Sequence, residues 1–95
     1  MNSQIQLASI IGTTSWGTTL GILLANQGIE TKLLARSKEE EYALNSSREN
    51  ETRLPGRSFP SVLSATSNLT ESIENSDLIV IACPSTNYRE NIQRI

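Results

Sequence analysis

Short apolar runs alternate along the chain with segments in which apolar residues recur at helical spacing. The apolar runs lie at residues 5–11, 29–35, 62–66 and 78–82, and the last of them, LIVIA, is unbroken. Strands that are apolar on both faces are typical of a parallel sheet covered by helices on each side. The pattern therefore predicts an α/β domain with four parallel strands.

A helix is predicted after each apolar run. The first helix is predicted to bury one apolar face, formed by Trp16, Leu20, Leu23 and Leu24. Gly28 is placed to end this helix in the left-handed conformation, and Gly21 in its middle indicates close packing on the sheet. Ser37 with Glu40, and Asn68 with Glu71, have the spacing of a capping box, so the next two helices are predicted to begin there.

The order of elements predicts a doubly wound sheet. Right-handed crossovers between parallel strands give the Rossmann strand order 3-2-1-4. A fourth helix is predicted after Ser85, and the polar stretch 45–60, which contains Pro and Gly, is interpreted as a helix end and a long surface loop. At 95 residues there is room for one small domain.

Composition and charge exclude several classes of function. Eight basic residues against ten acidic ones give a net charge of −2, which provides no electrostatic basis for binding nucleic acid or an anionic membrane. No apolar run approaches the roughly 18 residues of a membrane helix, and no secretory signal begins the chain, so we expect a soluble, cytoplasmic protein. One cysteine and no histidine exclude an internal disulfide, a Cys/His metal site and a catalytic pair that uses histidine.

The turn after the first strand contains the main candidate for binding chemistry. Gly12 follows the strand, Gly17 opens the helix, and Thr14 stands where the G-x-G-x-x-G fingerprint has its middle glycine. Strand, glycine turn and helix bring a pyrophosphate onto the helix N-terminus. Thr14 is expected to weaken binding relative to glycine, and to be tolerated if its φ stays negative and its hydroxyl donates to phosphate.

Two residues at the start of this helix have alternative interpretations. Ser15 is expected to bind the pyrophosphate, and a plain helix cap is the alternative. Trp16 is expected either to lie against the cofactor or the neighbouring strand, or to be a core anchor.

The end of the second strand bears on the choice of cofactor. The fingerprint expects an acidic residue about 20 residues after the glycine turn, where it holds the adenosine ribose 2′-hydroxyl. Arg36, Ser37 and Lys38 stand there instead. The two cations can pair with a 2′-phosphate, which favours NADP(H) or no strong preference, and a solvated basic helix start is the alternative.

The segment GTTSWGT at residues 12–18 resembles the N-terminal signature of the bacterial-type NAD(P)-dependent glycerol-3-phosphate dehydrogenases, whose usual form is GAGSWGT. Further agreement lies in Leu33-Leu34-Ala35-Arg36, Asn45, Arg48-Glu49-Asn50, Leu54-Pro55-Gly56 and Cys83-Pro84-Ser85. The resemblance runs from about residue 5 to the end of the chain, and Thr14 is its main departure.

The resemblance implies that residues 1–95 are a partial NAD(P)-binding Rossmann domain of a longer enzyme, half of a domain truncated after four strands. That enzyme would reduce dihydroxyacetone phosphate to sn-glycerol 3-phosphate with NADPH or NADH, for phospholipid synthesis. The implied cofactor-binding residues are Gly12, Thr13, Thr14, Ser15, Trp16 and Gly17 at the pyrophosphate, Arg36 and Ser37 at the adenosine end, and Pro84 and Ser85 near the nicotinamide ribose. The family's catalytic lysines lie downstream, so no catalytic residue is expected here and the fragment alone is not expected to turn over substrate.

Two other functions stay open. One is a different Rossmann oxidoreductase, acting on hydroxy or keto acids or on sugar nucleotides, against which Trp16 and the loop at residues 54–56 argue. The other is a non-catalytic module for weak nucleotide binding or assembly, which Thr14 and the missing catalytic half favour.

We predict that the 95-residue chain forms homodimers. A sheet that stops after four strands exposes one edge of the central strand at 78–82, and exposed strand edges pair with other chains. Sedimentation over a range of concentrations measures this, and a monomer at every concentration would contradict it.

Overall fold

Four parallel strands form the central sheet of the computed structural model, which describes residues 5–82. In chain order the elements are β1 (Leu7–Ile11), α1 (Ser15–Asn26), β2 (Glu30–Leu34), α2 (Lys38–Ser47), β3 (Glu49–Asn50), β4 (Leu54–Ser58), β5 (Leu63–Thr66), α3 (Leu69–Ile73) and β6 (Leu78–Ile81). The sheet order is β5-β2-β1-β6, which confirms the predicted Rossmann order for the four strands. The predicted fourth helix, with Cys83, Pro84 and Ser85 before it, lies outside the described residues.

The core lies between the sheet and the helices on its faces. Ile10, Leu33 and Leu63 come from three neighbouring strands and are fully buried. Ile22 and Ala25 of α1 belong to the same buried cluster. Burial of these apolar side chains, worth about 25 cal/mol per Å² removed from water, holds α1 on the sheet.

The apolar face predicted for α1 is wrong. Trp16 is 62% exposed and Leu23 is 54% exposed, while Leu20 and Leu24 are only partly buried against the core. The buried residues of the helix are Gly17, Thr18, Gly21, Ile22 and Ala25. Because small residues face the sheet, the helix lies close to it and the large side chains are left at its flanks.

Two glycines allow this close approach. A Cβ at Gly17 would lie 2.8 Å from the Cβ of Ala82, a separation that real Cβ atoms do not adopt. A Cβ at Gly21 would lie 3.2 Å from Cδ2 of Leu33, which agrees with the close packing predicted for this glycine. The third glycine of the fingerprint thus has its usual role in helix–strand packing.

The predicted helix ends are confirmed. Gly28 has φ +86°, and the N–H of Ile29 donates to the Leu24 carbonyl, which closes a Schellman motif at the end of α1. At the predicted starts of α2 and α3, the side chain of Ser37 accepts from the N–H of Glu40 at 3.1 Å, and the side chain of Asn68 accepts from the N–H of Glu71. Local sequence is enough to place such caps because the partners are three to five residues apart.

The stretch 45–60 is more ordered than the predicted surface loop. Arg48, with φ +57°, ends α2, and β3 and β4 then pair as an antiparallel hairpin. The guanidinium of Arg48 donates to the Pro60 carbonyl at 2.8 Å and lies 5.7 Å from the centre of the Phe59 ring. These contacts close residues 49–58, hereafter the hairpin, against the domain. Its strands lack the apolar alternation by which a strand is predicted, so the hairpin was not predicted from the sequence.

Among residues 5–82, no helix has the length and apolar character needed to cross a membrane.

Candidate functional site

The strands β2, β1 and β6 are neighbours in the sheet, and the turns that follow β1 and β2 lie at the same edge. In open α/β sheets, ligands bind outside the carboxyl ends of the strands. The turn after β1 contains Gly12, whose φ of +122° is a conformation that L side chains rarely adopt. The chain can therefore turn sharply from β1 into the N-terminus of α1 only with glycine at this position.

Thr14 is the N-cap of α1 and also a link to β6. Its φ is −69°, negative as its tolerance requires, and its Oγ1 accepts from the N–H of Gly17 at 3.1 Å. The same hydroxyl donates to the carbonyl of Ala82 at 3.0 Å. A hydroxyl has one proton, so the donation to phosphate expected from the sequence would compete with this bond.

The first backbone donors of α1 are available to an anion. Within residues 5–82, no hydrogen bond is described from the N–H groups of Ser15 and Trp16, whereas the N–H of Gly17 is capped by Thr14. Unpaired N–H groups and the positive end of the helix dipole both favour a negatively charged group here.

The side chains of these two residues differ in their contacts. Ser15 is exposed, and its hydroxyl donates to the carbonyl of Arg53 in the hairpin. Trp16 is 62% exposed, so its interpretation as a core anchor is wrong. The indole stands on the surface at the N-terminus of α1.

Thr13 is fixed by contacts on two sides. Its side chain is buried, and its hydroxyl donates to Oε2 of Glu40 at 3.0 Å. Its carbonyl accepts from the amide of Asn50 at 3.0 Å. Thr13 therefore holds the shape of the turn, and its hydroxyl proton is already engaged by the protein.

Asn50 is the buried polar residue that the sequence did not single out for a role. It is 3% exposed, and its Nδ2 donates both to the Thr13 carbonyl and, at 2.9 Å, to Oγ1 of Thr18. Its Oδ1 accepts from the N–H of Arg53 at 3.3 Å. One amide thus joins the glycine turn, α1 and the hairpin with all of its donors used. An asparagine in a polar loop has no periodic signal, and only the family resemblance drew attention to its position.

The turn after β2 has both an exposed cation and a carboxylate. The Arg36 side chain is 69% exposed, and its Nη2 lies 3.5 Å from Oε2 of Glu40. The N–H of Arg36 donates to Oε1 of Glu40 at 2.7 Å. Ser37 is engaged as the N-cap of α2. The acid that the fingerprint expects is absent from the end of β2, but Glu40 brings a carboxylate to the same turn from the first turn of α2.

The structure thus brings together Gly12, Thr13, Thr14, Ser15, Trp16 and Gly17 in one turn, with Arg36 and Ser37 at the neighbouring strand end. Pro84 and Ser85 lie outside the described residues. Glu40, Asn50 and Arg53 are the additional residues at this edge that sequence reasoning missed.

A family model matches residues 8–95, and its description is NAD-dependent glycerol-3-phosphate dehydrogenase N-terminus. Among curated relatives, the glycerol-3-phosphate dehydrogenase [NAD(P)+] of Thermus thermophilus is 40% identical over 84 residues, which are 88% of this chain and 26% of the relative. The protein of the same name from Chlorobium phaeobacteroides is 43% identical over 84 residues, 88% of this chain and 25% of the relative. The chain spans about a quarter of the length of these relatives.

Solved structures are similar in fold. The crystal structure of glycerol-3-phosphate dehydrogenase from Coxiella burnetii has a TM-score of 0.86 and 32% identity, over 97% of this chain and 28% of that one. The yeast enzyme from Saccharomyces cerevisiae has a TM-score of 0.82 at 22% identity, over 94% of this chain and 29% of that one, and supports the fold alone.

We predict that Asn50→Ala lowers the free energy of unfolding by about 2–4 kcal/mol. The Thr13 carbonyl and the Thr18 hydroxyl lose their buried donor, and each unsatisfied group costs about 1–3 kcal/mol. Urea denaturation measures the change. Asn26→Ala, at an exposed position at the end of α1, is the matched control and should change stability by less than about 0.5 kcal/mol. Equal stabilities of the two variants would contradict the role of Asn50.

We predict that Thr14→Val destabilises the chain by about 1–2 kcal/mol, whereas Thr14→Ser stays close to the unsubstituted protein. Valine keeps the shape of threonine but loses both the cap on Gly17 and the bond to Ala82, and serine can keep both. Thermal and urea unfolding compare the three proteins. A stable valine variant would mean that the hydroxyl does not hold the turn.

Proposed function

The chain belongs to the family of NAD-dependent glycerol-3-phosphate dehydrogenases, and from that premise we propose that it holds the dinucleotide cofactor, with the pyrophosphate at the N-terminus of α1. The observation that carries this proposal is the pair of N–H groups at Ser15 and Trp16, for which residues 5–82 provide no hydrogen-bond acceptor, directly after a turn that requires glycine at Gly12. Anions bind where a strand, a glycine turn and a helix N-terminus follow one another.

The residues of the turn fit such a cofactor in most respects. Gly12 has positive φ, and Gly17 has no space for a Cβ, as the first and third glycines of the fingerprint require. Thr14 is the departure, because its Cβ occupies the position from which the middle glycine admits the pyrophosphate. Its hydroxyl is directed to Ala82, so the polar end of the side chain is turned toward β6. We infer that the pyrophosphate is held from the Ser15 and Trp16 side of the turn.

The other cofactor contacts are assigned by position. Arg36 and Ser37 follow β2 and are proposed to border the adenosine end, where the guanidinium of Arg36 can stack on adenine. Pro84 and Ser85 follow β6 along the chain and are proposed to contact the nicotinamide ribose. Thr13 is proposed to act through the shape of the turn, because its hydroxyl and carbonyl are engaged by Glu40 and Asn50.

The activity of the whole enzyme is proposed from the family. Reduction of dihydroxyacetone phosphate to sn-glycerol 3-phosphate requires a hydride, which the reduced nicotinamide supplies when bound. The reaction also requires a proton for the ketone oxygen, from an acid near the reacting carbon. No described side chain of the turn is free to supply it, so we propose that this group belongs to the part of the enzyme that this chain does not span. A cytoplasmic location, a role in phospholipid synthesis and a homodimer are parts of the same proposal.

We predict that the 95-residue chain binds NADH or NADPH, and that binding changes the fluorescence of Trp16. Trp16 is the single tryptophan and stands on the surface beside the proposed pyrophosphate position, so its emission is sensitive to a nucleotide bound at this turn. Calorimetric titration with each nucleotide measures the affinity, and the fluorescence titration follows the same binding. Absence of heat and of a fluorescence change with both nucleotides would contradict the proposed function.

Ser15→Pro and Ser15→Ala form a matched pair that tests the backbone donor. Proline removes the N–H and the hydroxyl and is accepted at the first position of a helix, while alanine removes the hydroxyl alone. Thr14, at φ −69° and ψ 168°, already has the conformation required before proline. An N–H bond to a charged group contributes about 1.5 kcal/mol or more, so the proline variant should bind about tenfold more weakly than the alanine variant. Equal affinities would place the pyrophosphate elsewhere.

A further inference from the structure

Glu40 joins the two turns that border the adenosine end of the proposed site. Its Oε2 accepts from the hydroxyl of Thr13, in the turn after β1, at 3.0 Å. Its Oε1 accepts from the N–H of Arg36, in the turn after β2, at 2.7 Å. One carboxylate therefore lies between the ends of two neighbouring strands, with each oxygen held by a different turn.

The position of this carboxylate does not depend on the ion pair with Arg36. The pair spans 3.5 Å with the Arg36 side chain 69% exposed, and exposed pairs of this kind contribute about 0–1 kcal/mol. The bonds from the Thr13 hydroxyl and the Arg36 N–H involve groups fixed by the fold. The negative charge is thus held in place, while the cation is held only weakly.

The net charge around the end of β2 is also less positive than Arg36 and Lys38 alone indicate. Arg36 and Lys38 are followed by three carboxylates in the first turn of α2, at Glu39, Glu40 and Glu41. Glu41 is turned away, because it accepts from the N–H and hydroxyl of Ser67 before α3. Glu40 is the one that these contacts hold next to Arg36.

We propose that Glu40 is the residue that sets the cofactor preference, and that it selects NADH over NADPH. Rossmann domains that bind NAD use a carboxylate at this end of the site to accept the ribose 2′-hydroxyl. A 2′-phosphate would bring close to two negative charges toward the same carboxylate and would compete with it for Arg36. This inference rests on the proposed function, and it differs from the NADP(H) preference expected from Arg36 and Lys38.

The test compares NADH and NADPH binding by the 95-residue chain and by Glu40→Gln. The unsubstituted chain should bind NADH more tightly. Glutamine has the size of glutamate without its charge, so the ratio of the two dissociation constants should shift toward NADPH by about tenfold, the equivalent of about 1.4 kcal/mol. Glu39→Gln removes the same charge one residue earlier, from an exposed side chain with no hydrogen bond among the described residues, and should leave the ratio nearly unchanged.

A second measurement needs no variant. The unsubstituted chain should bind ADP-ribose more tightly than ADP-ribose with a 2′-phosphate, because the two ligands differ only at the position that Glu40 is proposed to face. Preference for the 2′-phosphate form, an unchanged ratio in Glu40→Gln, or an equal shift in Glu39→Gln would overturn the role of Glu40 while the proposed function stands. Failure of the unsubstituted chain to bind any of these nucleotides would overturn both.

Discussion

The buried amide of Asn50 is the contact on which the rest of the site depends. A turn that leaves a strand and enters a helix within three residues exposes carbonyl groups that neither element can pair. Asn50 satisfies the carbonyl of Thr13 and at the same time holds Thr18 in the second turn of α1. Since Asn50 belongs to the hairpin, the shape of the turn and the placement of the hairpin are fixed together.

Three side chains hold this one turn. Asn50 binds it from the hairpin and Glu40 from α2, while Thr14, within the turn, binds the carbonyl of Ala82 directly after β6. A glycine in place of Thr14 would have more freedom and admit a ligand more closely, but it would provide neither the helix cap nor the link to Ala82. Threonine at position 14 therefore holds the turn more rigidly than glycine would, and leaves a ligand less room to approach the backbone. At the proposed pyrophosphate position, a rigid turn would keep the backbone N–H groups directed at one point before any ligand is bound.

Much of the fold follows from sequence because its determinants are local or periodic. The N-caps at Ser37 and Asn68, the end of α1 at Gly28 and the four parallel strands were predicted from spacings of a few residues. The face of α1 was predicted wrongly, because apolar periodicity counts large side chains, whereas the close approach at Gly17 and Gly21 decides which face is buried. A prediction based on hydrophobicity alone does not take account of the close packing that a glycine allows.

The contacts of Glu40 and Asn50 were not predicted, and the physical reason is the same for both residues. Glu40 has the distance from Ser37 that a capping box requires, and that local explanation conceals its bond to Thr13, which lies 27 residues away and depends on how two strands are placed side by side. Asn50 depends likewise on partners more than 30 residues away in the chain.

The long-range bond between Glu40 and Thr13 also underlies the cofactor preference that we propose. The residues that follow β2 include two cations and no acid, but in the folded chain α2 brings the carboxylate of Glu40 to the same place. The cofactor preference proposed for Glu40 is therefore a property of the assembled turns, and the residue that follows β2 is an incomplete guide to it.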